Sequence, residues 1–215
     1  MTCAQYLKKI EHPEPPDPDS PHYYMLHTVS KEEADAFIRA YEYLGTVGHP
    51  VARYGAHDPL TGRMAAVATF GRPTFTGPPG VIVLERGASA PWAHPHTASW
   101  FINRACRAAA LDHGWHTFVA YADPAADEIG TVYQASGWSY MGQGRERGRR
   151  REYFRQGDRL ISEHAFRARG LTIIDAQLGE WERVFVPAKH RYQWSPDRRR
   201  RAEFKKLALP YPKRS

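Results

Sequence analysis

Residues 51–57 and 64–70 are strand-like runs flanking Asp58-Pro59-Leu60-Thr61-Gly62, and this pairing constrains the fold more than any other stretch of the chain. Asp and Pro open a turn and Gly closes it, so the two runs are expected to form an antiparallel hairpin. Downstream the pattern changes. An apolar run over 81–86 is followed by Trp100, Phe101, Ala105, Cys106 and Ala109 near helical spacing, opened at Thr97 or Ala98 and stopped by Gly114. A buried strand over 117–122, a helix over about 128–136 and a strand over 138–141 come next. The hairpin is antiparallel while strands and helices alternate through the middle, so a mixed sheet with helices on both faces is expected.

The flanks read differently. Pro and Asp crowd residues 11–21, so 1–29 is expected to be an irregular arm. Ser30 and Glu33 form an S-x-x-E capping box that starts a helix running to about residue 43, ended by Gly45, Gly48 and Pro50. A strand pair over 151–155 and 159–162, a short helix ending at Gly170 and a last basic helix opened by Ser195-Pro196 complete the pattern. These elements suggest a catalytic α/β domain over 30–170 and a basic extension over 171–215 packed on it. The chain has 215 residues, 42% of them hydrophobic, enough for a sizeable core. No run approaches the ~20 apolar residues of a membrane span, and no apolar secretion segment opens the chain. Cys3 and Cys106 are the only cysteines, which excludes a disulfide framework and a cysteine zinc site; the expected compartment is the cytoplasm.

Charge is distributed unevenly. Residues 1–144 hold 10 Lys and Arg against 14 Asp and Glu, whereas residues 145–215 hold 20 against 9. A basic region joined to a mildly acidic one points to a polyanion, with nucleic acid first among the choices and a solubilising tail as the plainer reading. Arg147, Arg149, Arg150 and Arg151, with Arg198, Arg199, Arg200 and Arg201, are the expected nucleic-acid contacts. G-x-S-x-G, Walker and G-x-G-x-x-G motifs are all absent, so hydrolase, NTPase and dinucleotide readings have no support.

The stretch VAYADPAADEIGTVYQASGWSYMG (119–142) resembles the second half of a GNAT acyltransferase, and more specifically the Mom family of phage DNA-modification proteins. The likeness continues in YEYLG (41–45), ATFGRPT (68–74), ASWFI (98–102) and KHRYQW (189–194), in the same order along the chain. It implies a GNAT-like fold: a mixed, mostly antiparallel sheet flanked by helices, with a basic C-terminal extension. It also implies that adenine N6 in double-stranded DNA acquires a carbamoylmethyl group, which protects phage DNA from restriction. In one place the chain departs from an ordinary GNAT protein. The loop GASAPWAHPHTASW (87–100) lacks the glycine spacing that cradles coenzyme A pyrophosphate, and its prolines remove amide donors. The added group has a glycine-amide skeleton, so glycyl-tRNA fits as donor at least as well as a coenzyme A thioester, and the basic region suits tRNA as well as DNA. Mom-like chains often carry histidine where this chain has Glu42, and the resemblance leaves iron open as a cofactor.

Acyl transfer to adenine N6 requires proton removal, oxyanion stabilisation and protonation of the leaving group. Asp123 ends a strand at the edge where open α/β sheets place ligands, and suits either the base or an acceptor orienting the amine; the plain reading is an Asp-Pro cap. Tyr133 falls where GNAT enzymes keep a general acid, against a plain reading as a core aromatic. Ser99 lies in the first turn of a helix and suits an oxyanion or phosphate, or merely caps it. Arg86 closes a strand facing the same cleft and suits a phosphate, or pairs with Glu85. Tyr43 lines the base pocket or packs the helix end. Trp92, Trp100 and Trp138 are candidates for stacking on a flipped base. His94 and His96 are too sparse to assign a metal. Two readings compete: an acetyl-CoA-dependent N-acetyltransferase, and a non-catalytic nucleic-acid-binding protein.

Overall fold

The computed structural model describes residues 20–42, 45, 47–73, 78–143, 151–157, 159–162, 170, 172, 174, 179 and 181–213. The expected helix ending at Gly170, and Tyr43, Arg147, Arg149 and Arg150, lie outside the described residues. A central sheet contains β1 (Met25–Thr28), β2 (Ala52–His57), β3 (Met64–Gly71), β4 (Val81–Ser89), β5 (Thr117–Ala122), β6 (Ser139–Gln143) and β10 (His190–Trp194). Its order is β1-β2-β3-β4-β5-β10-β6. A second sheet, β8-β7-β9, is formed by β7 (Arg151–Gln156), β8 (Arg159–Ser162) and β9 (Glu182–Val186). All pairings are antiparallel except β4 with β5. The fold is thus the expected mixed, mostly antiparallel α/β architecture.

Local chemistry accounts for most boundaries. Helix α1 (Lys31–Tyr41) opens with the complete capping box: the Glu33 amide donates to Ser30 Oγ at 3.2 Å, and the Ser30 amide donates to Glu33 Oε2 at 2.8 Å. In the β2–β3 turn, Asp58 Oδ1 accepts from the amides of Leu60 and Thr61, and Gly62 takes φ +70°. Helix α2 (Thr97–His113) stops at Gly114 with φ 71°. Tyr54 fixes α2 to the sheet by donating to Asp112 Oδ2 at 2.6 Å, and Trp138 Nε1 donates to Asn103 Oδ1 at 2.9 Å. Around these, Phe70, Phe118, Ile82, Trp138 and Tyr192 are almost wholly buried. Full burial of side chains this size contributes about 1.5–3 kcal/mol each.

The structure departs from the sequence reading at both ends. Residues 25–28 of the expected arm form β1, paired with β2 from Met25↔His57 to Thr28↔Tyr54. The boundary at residue 170 also moves: β10 is an interior strand between β5 and β6, so 190–194 belongs to the central sheet rather than to an extension packed on it. The physical reason is alternate burial in HRYQW, where His190, Tyr192 and Trp194 face inward. The last helix, α4 (Arg198–Leu207), is capped by Asp197 rather than opened by Ser195-Pro196; Asp197 Oδ1 accepts from the amides of Arg199 and Arg200. Beyond it Leu209 donates its amide to Tyr140 O at 2.9 Å, so the chain end covers the outer edge of β6.

Two irregularities open the sheet. Strands β4 and β5 pair only through Val81↔Thr117, Ile82↔Phe118 and Val83↔Val119, yet β4 continues to Ser89 and β5 to Ala122. A bulge starts at the same point on the other side of β4, where Phe70 pairs with Leu84 but Thr69 pairs with Arg86, leaving Glu85 as the extra residue. Bulges bend and twist strands, and here the bend accompanies parting of the parallel pair. The result is a cleft between the C-terminal halves of β4 and β5.

Candidate active site

The far side of the cleft is a compact loop. Strand β5 ends at Ala122, and Asp123 caps a 3-10 turn, Pro124–Ala126, with its Oδ1 accepting from the Ala125 amide at 3.0 Å. Asp127 then takes φ 55°, ψ 31°, the only positive φ of a non-glycine among the described residues. The Glu128 amide closes the loop onto Asp123 O at 3.1 Å. Gly130, at φ +72°, leads into the short helix α3 (Thr131–Ala135); a Cβ there would lie 2.5 Å from the Tyr192 ring and 3.0 Å from that of Tyr133. No other residue fits that position. Ile129 O accepts from Tyr192 Oη and, at 2.9 Å, from Gln134 Nε2, which locks the loop to β10.

Asp123 is a paired anion. Arg151 Nη2 donates to Oδ1 at 2.6 Å and Nη1 to Oδ2 at 3.1 Å, while Lys189 Nζ lies 3.6 Å from Oδ2. Burial pushes the carboxyl up, but the Arg151 hydrogen bonds and charge, helped by Lys189, overcome it and hold Asp123 below the usual carboxylate range. Arg151 also donates to Tyr153 Oη at 2.7 Å and, through Nε, to Pro187 O at 3.0 Å. Arg151, one of the expected nucleic-acid contacts, has these donors engaged inside the fold, where they tie the β8-β7-β9 sheet to the end of β5.

Tyr133 packs between Trp138 and Tyr192, with ring centroids 5.4 and 5.2 Å away. Its hydroxyl has no hydrogen-bond partner among the described residues. Burial first, then the negative charge of Glu128, pushes this phenol well above its ordinary value, with Arg86 pulling the other way. Arg86 donates from Nη1 to the Glu85 carbonyl at 2.7 Å, and its charge pulls the Glu85 carboxyl down against the rise that burial causes. The Glu85 side chain fills the space over Gly48 and Gly71, where a Cβ at Gly71 would lie 1.8 Å from Oε1; Oε2 is buried and unbonded. Ser99 stands in the first turn of α2, its Oγ donating to His96 O at 3.1 Å and its carbonyl accepting from Ser136 Oγ just after α3. No side chain caps α2, so its first-turn amides suit an anion.

The structure therefore gathers Asp123, Tyr133 and Arg86 around one cleft, with Ser99 beside the other end of α3. Sequence reading noted Glu42 only as a departure from the histidine of Mom-like chains and missed Glu128 and Lys189; the charges of all three meet there. It also missed the buried Tyr140–His190 pair, 2.9 Å apart, beside Asp123. Burial lowers the His190 pKa and Asp123 partly offsets this. Glu42 stands just after α1, 6% exposed, its Oε2 accepting from the Gly45 amide at 3.1 Å. Trp138 is wholly buried and cannot stack on a base, whereas Trp92 and Trp100 are half-buried, under Arg63 and Arg104 respectively. The His96 amide donates to His94 Nδ1 at 3.1 Å, and no group of three or more His, Cys, Asp or Glu among the described residues is arranged to hold a metal ion. Arg198 and Arg199 are exposed on α4, whereas Arg201 Nη1 turns back onto the carbonyls of Ser195 and Pro196. No described helix is long and apolar enough to cross a membrane.

A model of the Mom protein family matches residues 23–213. The chain belongs to that family. Membership makes it a transferase, and the fold is that of the GNAT acetyltransferases. Spermidine/spermine N-acetyltransferase from Vibrio cholerae, solved in complex with manganese ions, shares 11% identity at a TM-score of 0.51, covering 81% of this chain and 94% of that one. The ribosomal-protein-S5-alanine acetyltransferase from Vibrio fischeri gives 10% identity and 0.48, covering 82% and 94%. The IAA acetyltransferase from Bacillus cereus gives 10% and 0.46, covering 80% and 99%. No curated protein matches the sequence.

Proposed function

We propose that this Mom-family protein transfers a glycine-derived acyl group to the N6 amine of adenine in double-stranded DNA, giving first the N6-glycyl amide and, by rearrangement of that amide to its isomer, N6-carbamoylmethyladenine, which protects DNA from restriction. The observation that carries the reading is the cleft between β4 and β5, which collects a fixed carboxylate, a phenol without a partner among the described residues and a cation in a chain whose family match covers residues 23–213. Asp123, held as an anion by Arg151, accepts a hydrogen bond from the amine and orients it. Tyr133 protonates the leaving group. Arg86 and the uncapped start of α2 at Ser99 hold the anionic part of the donor. Adenine N6 within a duplex is out of reach, so the base is flipped, with Trp92 and Trp100 left as stacking candidates. The exposed arginines of α4 contact phosphates.

Glycyl-tRNA is the favoured donor because it supplies the glycine skeleton and needs basic surface; a coenzyme A thioester is the other. Feeding isotope-labelled glycine to cells making the protein separates them. Label in the modified adenine supports the glycyl donor, and an unlabelled modification with labelled acetate incorporated supports the thioester. Plasmid from the same cells should resist restriction enzymes whose sites contain adenine; plasmid cut as fast as an empty-vector control counts against the reading. The GNAT fold also favours acetylation of a protein or small amine, which predicts unmodified DNA with tight coenzyme A binding.

A further inference from the structure

Acyl transfer to an amine needs a group that removes a proton as the new bond forms, and Asp123 is poorly built for it. Both its oxygens accept from Arg151, Oδ1 also accepts from the Ala125 amide, and Lys189 stands at 3.6 Å. An anion so satisfied has little affinity for a proton. Glu128 lacks the arginine pair, although the Asp123 amide and Lys189 also act on its carboxyl. It makes no ion pair among the described residues. Asp127 in its left-handed conformation, the Glu128 amide bond to Asp123 O and the Ile129 carbonyl clamped by Tyr192 and Gln134 fix its backbone at the mouth of the cleft. A non-glycine residue with positive φ, held by its surroundings, is a common mark of a functional loop.

The geometry points to Glu128 as the group that takes the proton from the acceptor amine, with the Arg151-held Asp123 orienting that amine. The inference rests on the acyl-transfer reading above. As the N–C bond forms, an N–H bond breaks and its proton passes to a Glu128 carboxylate oxygen. The bond from the acyl carbon to its ester or thioester leaving atom breaks, and that atom receives the Tyr133 proton. Solvent then restores both groups. Four groups act on Glu128: Glu42 from the end of α1, Asp123 from the end of β5, Lys189 ahead of β10 and Tyr133 on α3. Burial raises the Glu128 carboxyl, Glu42 and Asp123 raise it further, and neither Lys189 nor the Asp123 amide reverses this. A carboxylate of raised proton affinity is the better general base near neutral pH.

Glu128→Gln keeps the shape and removes the base, so kcat should fall by ~10²–10⁴-fold with little change in KM. The acid limb of the pH–rate profile should vanish, whereas Asp123→Asn slows the reaction but keeps that limb. Formate should restore part of the rate to Glu128→Ala in proportion to its concentration, which no packing role would allow. Circular dichroism and melting of Glu128→Gln should match the parent. Wild-type rate, or a persisting acid limb, in Glu128→Gln overturns the assignment. Titration of carbon-13-labelled glutamate in the wild-type protein, assigned with Glu128→Gln, decides independently of activity. A Glu128 carboxyl above the ordinary range supports the inference, and one at or below it overturns the inference even if DNA proves not to be the substrate. Unmodified DNA from active cells alone would overturn the functional reading instead.

Discussion

Replacing Arg151 with Met tests how the cleft is held together. The substitution keeps the apolar stem but removes both charge-assisted bonds to Asp123, leaving the Ala125 amide and Lys189 at 3.6 Å. The pair is 24% and 18% exposed, between a surface bridge worth ~0–1 kcal/mol and a fully buried one that costs ~3–5 kcal/mol to break. About 2 kcal/mol of lost stability is expected at neutral pH. For a chain of this length that corresponds to a melting temperature lower by ~4–8 °C. The pH dependence follows from Asp123. Its folded-state pKa is lowered, so the pair's stabilisation is present above the unfolded carboxylate value near ~3.9 and is lost as pH falls through the lower folded value. The deficit of Arg151→Met should therefore shrink below about pH 4. Urea or thermal unfolding of the parent, Arg151→Met, Asp123→Asn and the double variant should give a coupling of about 2 kcal/mol at pH 7. A melting temperature within about 1 °C of the parent, or a deficit unchanged at low pH, would refute the reasoning. Unchanged stability with weaker DNA binding would return Arg151 to the phosphate-contacting role.

Tyr133→Phe should lose at least ~10²-fold in rate while melting within a few degrees of the parent, because only a hydroxyl without a partner is removed; a fully active Phe variant reduces the residue to packing. Replacing Arg198, Arg199 and Arg200 with Gln should weaken nucleic-acid binding uniformly across sequences and flatten the slope of log affinity against log salt by up to ~0.9 per lost phosphate contact. Arg201 is left in place because it holds the start of α4. An unchanged salt slope would make the basic helix a solvated tail.

Features whose cause is local were legible in the sequence. The Ser30–Glu33 box, the Asp58–Gly62 turn and the Gly114 stop each rest on contacts within a few residues, and each stands where expected. Strand β1 was not, because its side chains are mostly exposed and carry no alternation. Strand β10 alternates clearly in burial, but it sits in an arginine-rich region and its inward histidine pairs with Tyr140, 50 residues away. Asp123 and Arg86 were read from their places at strand ends and Tyr133 from the family resemblance, and the charges of Arg86 and Glu128 both act on Tyr133. Their electrostatic roles depend on Arg151, 28 residues beyond Asp123, and on Lys189, contacts that no spacing along the chain encodes. Glu128 lies within the motif stretch itself, five residues before Tyr133, yet only the folded loop brings Glu42 and Asp123 to its carboxyl and leaves it without an ion pair among the described residues.

The central claim is modification of DNA adenine. DNA from cells making the protein, digested to nucleosides and weighed by mass spectrometry, tests it most directly, with cells making Tyr133→Phe as control. The account predicts a deoxyadenosine heavier by one carbamoylmethyl group in the parent sample and a sharply reduced amount in the control. Deoxyadenosine of unaltered mass in both, with the protein folded and abundant, would contradict it.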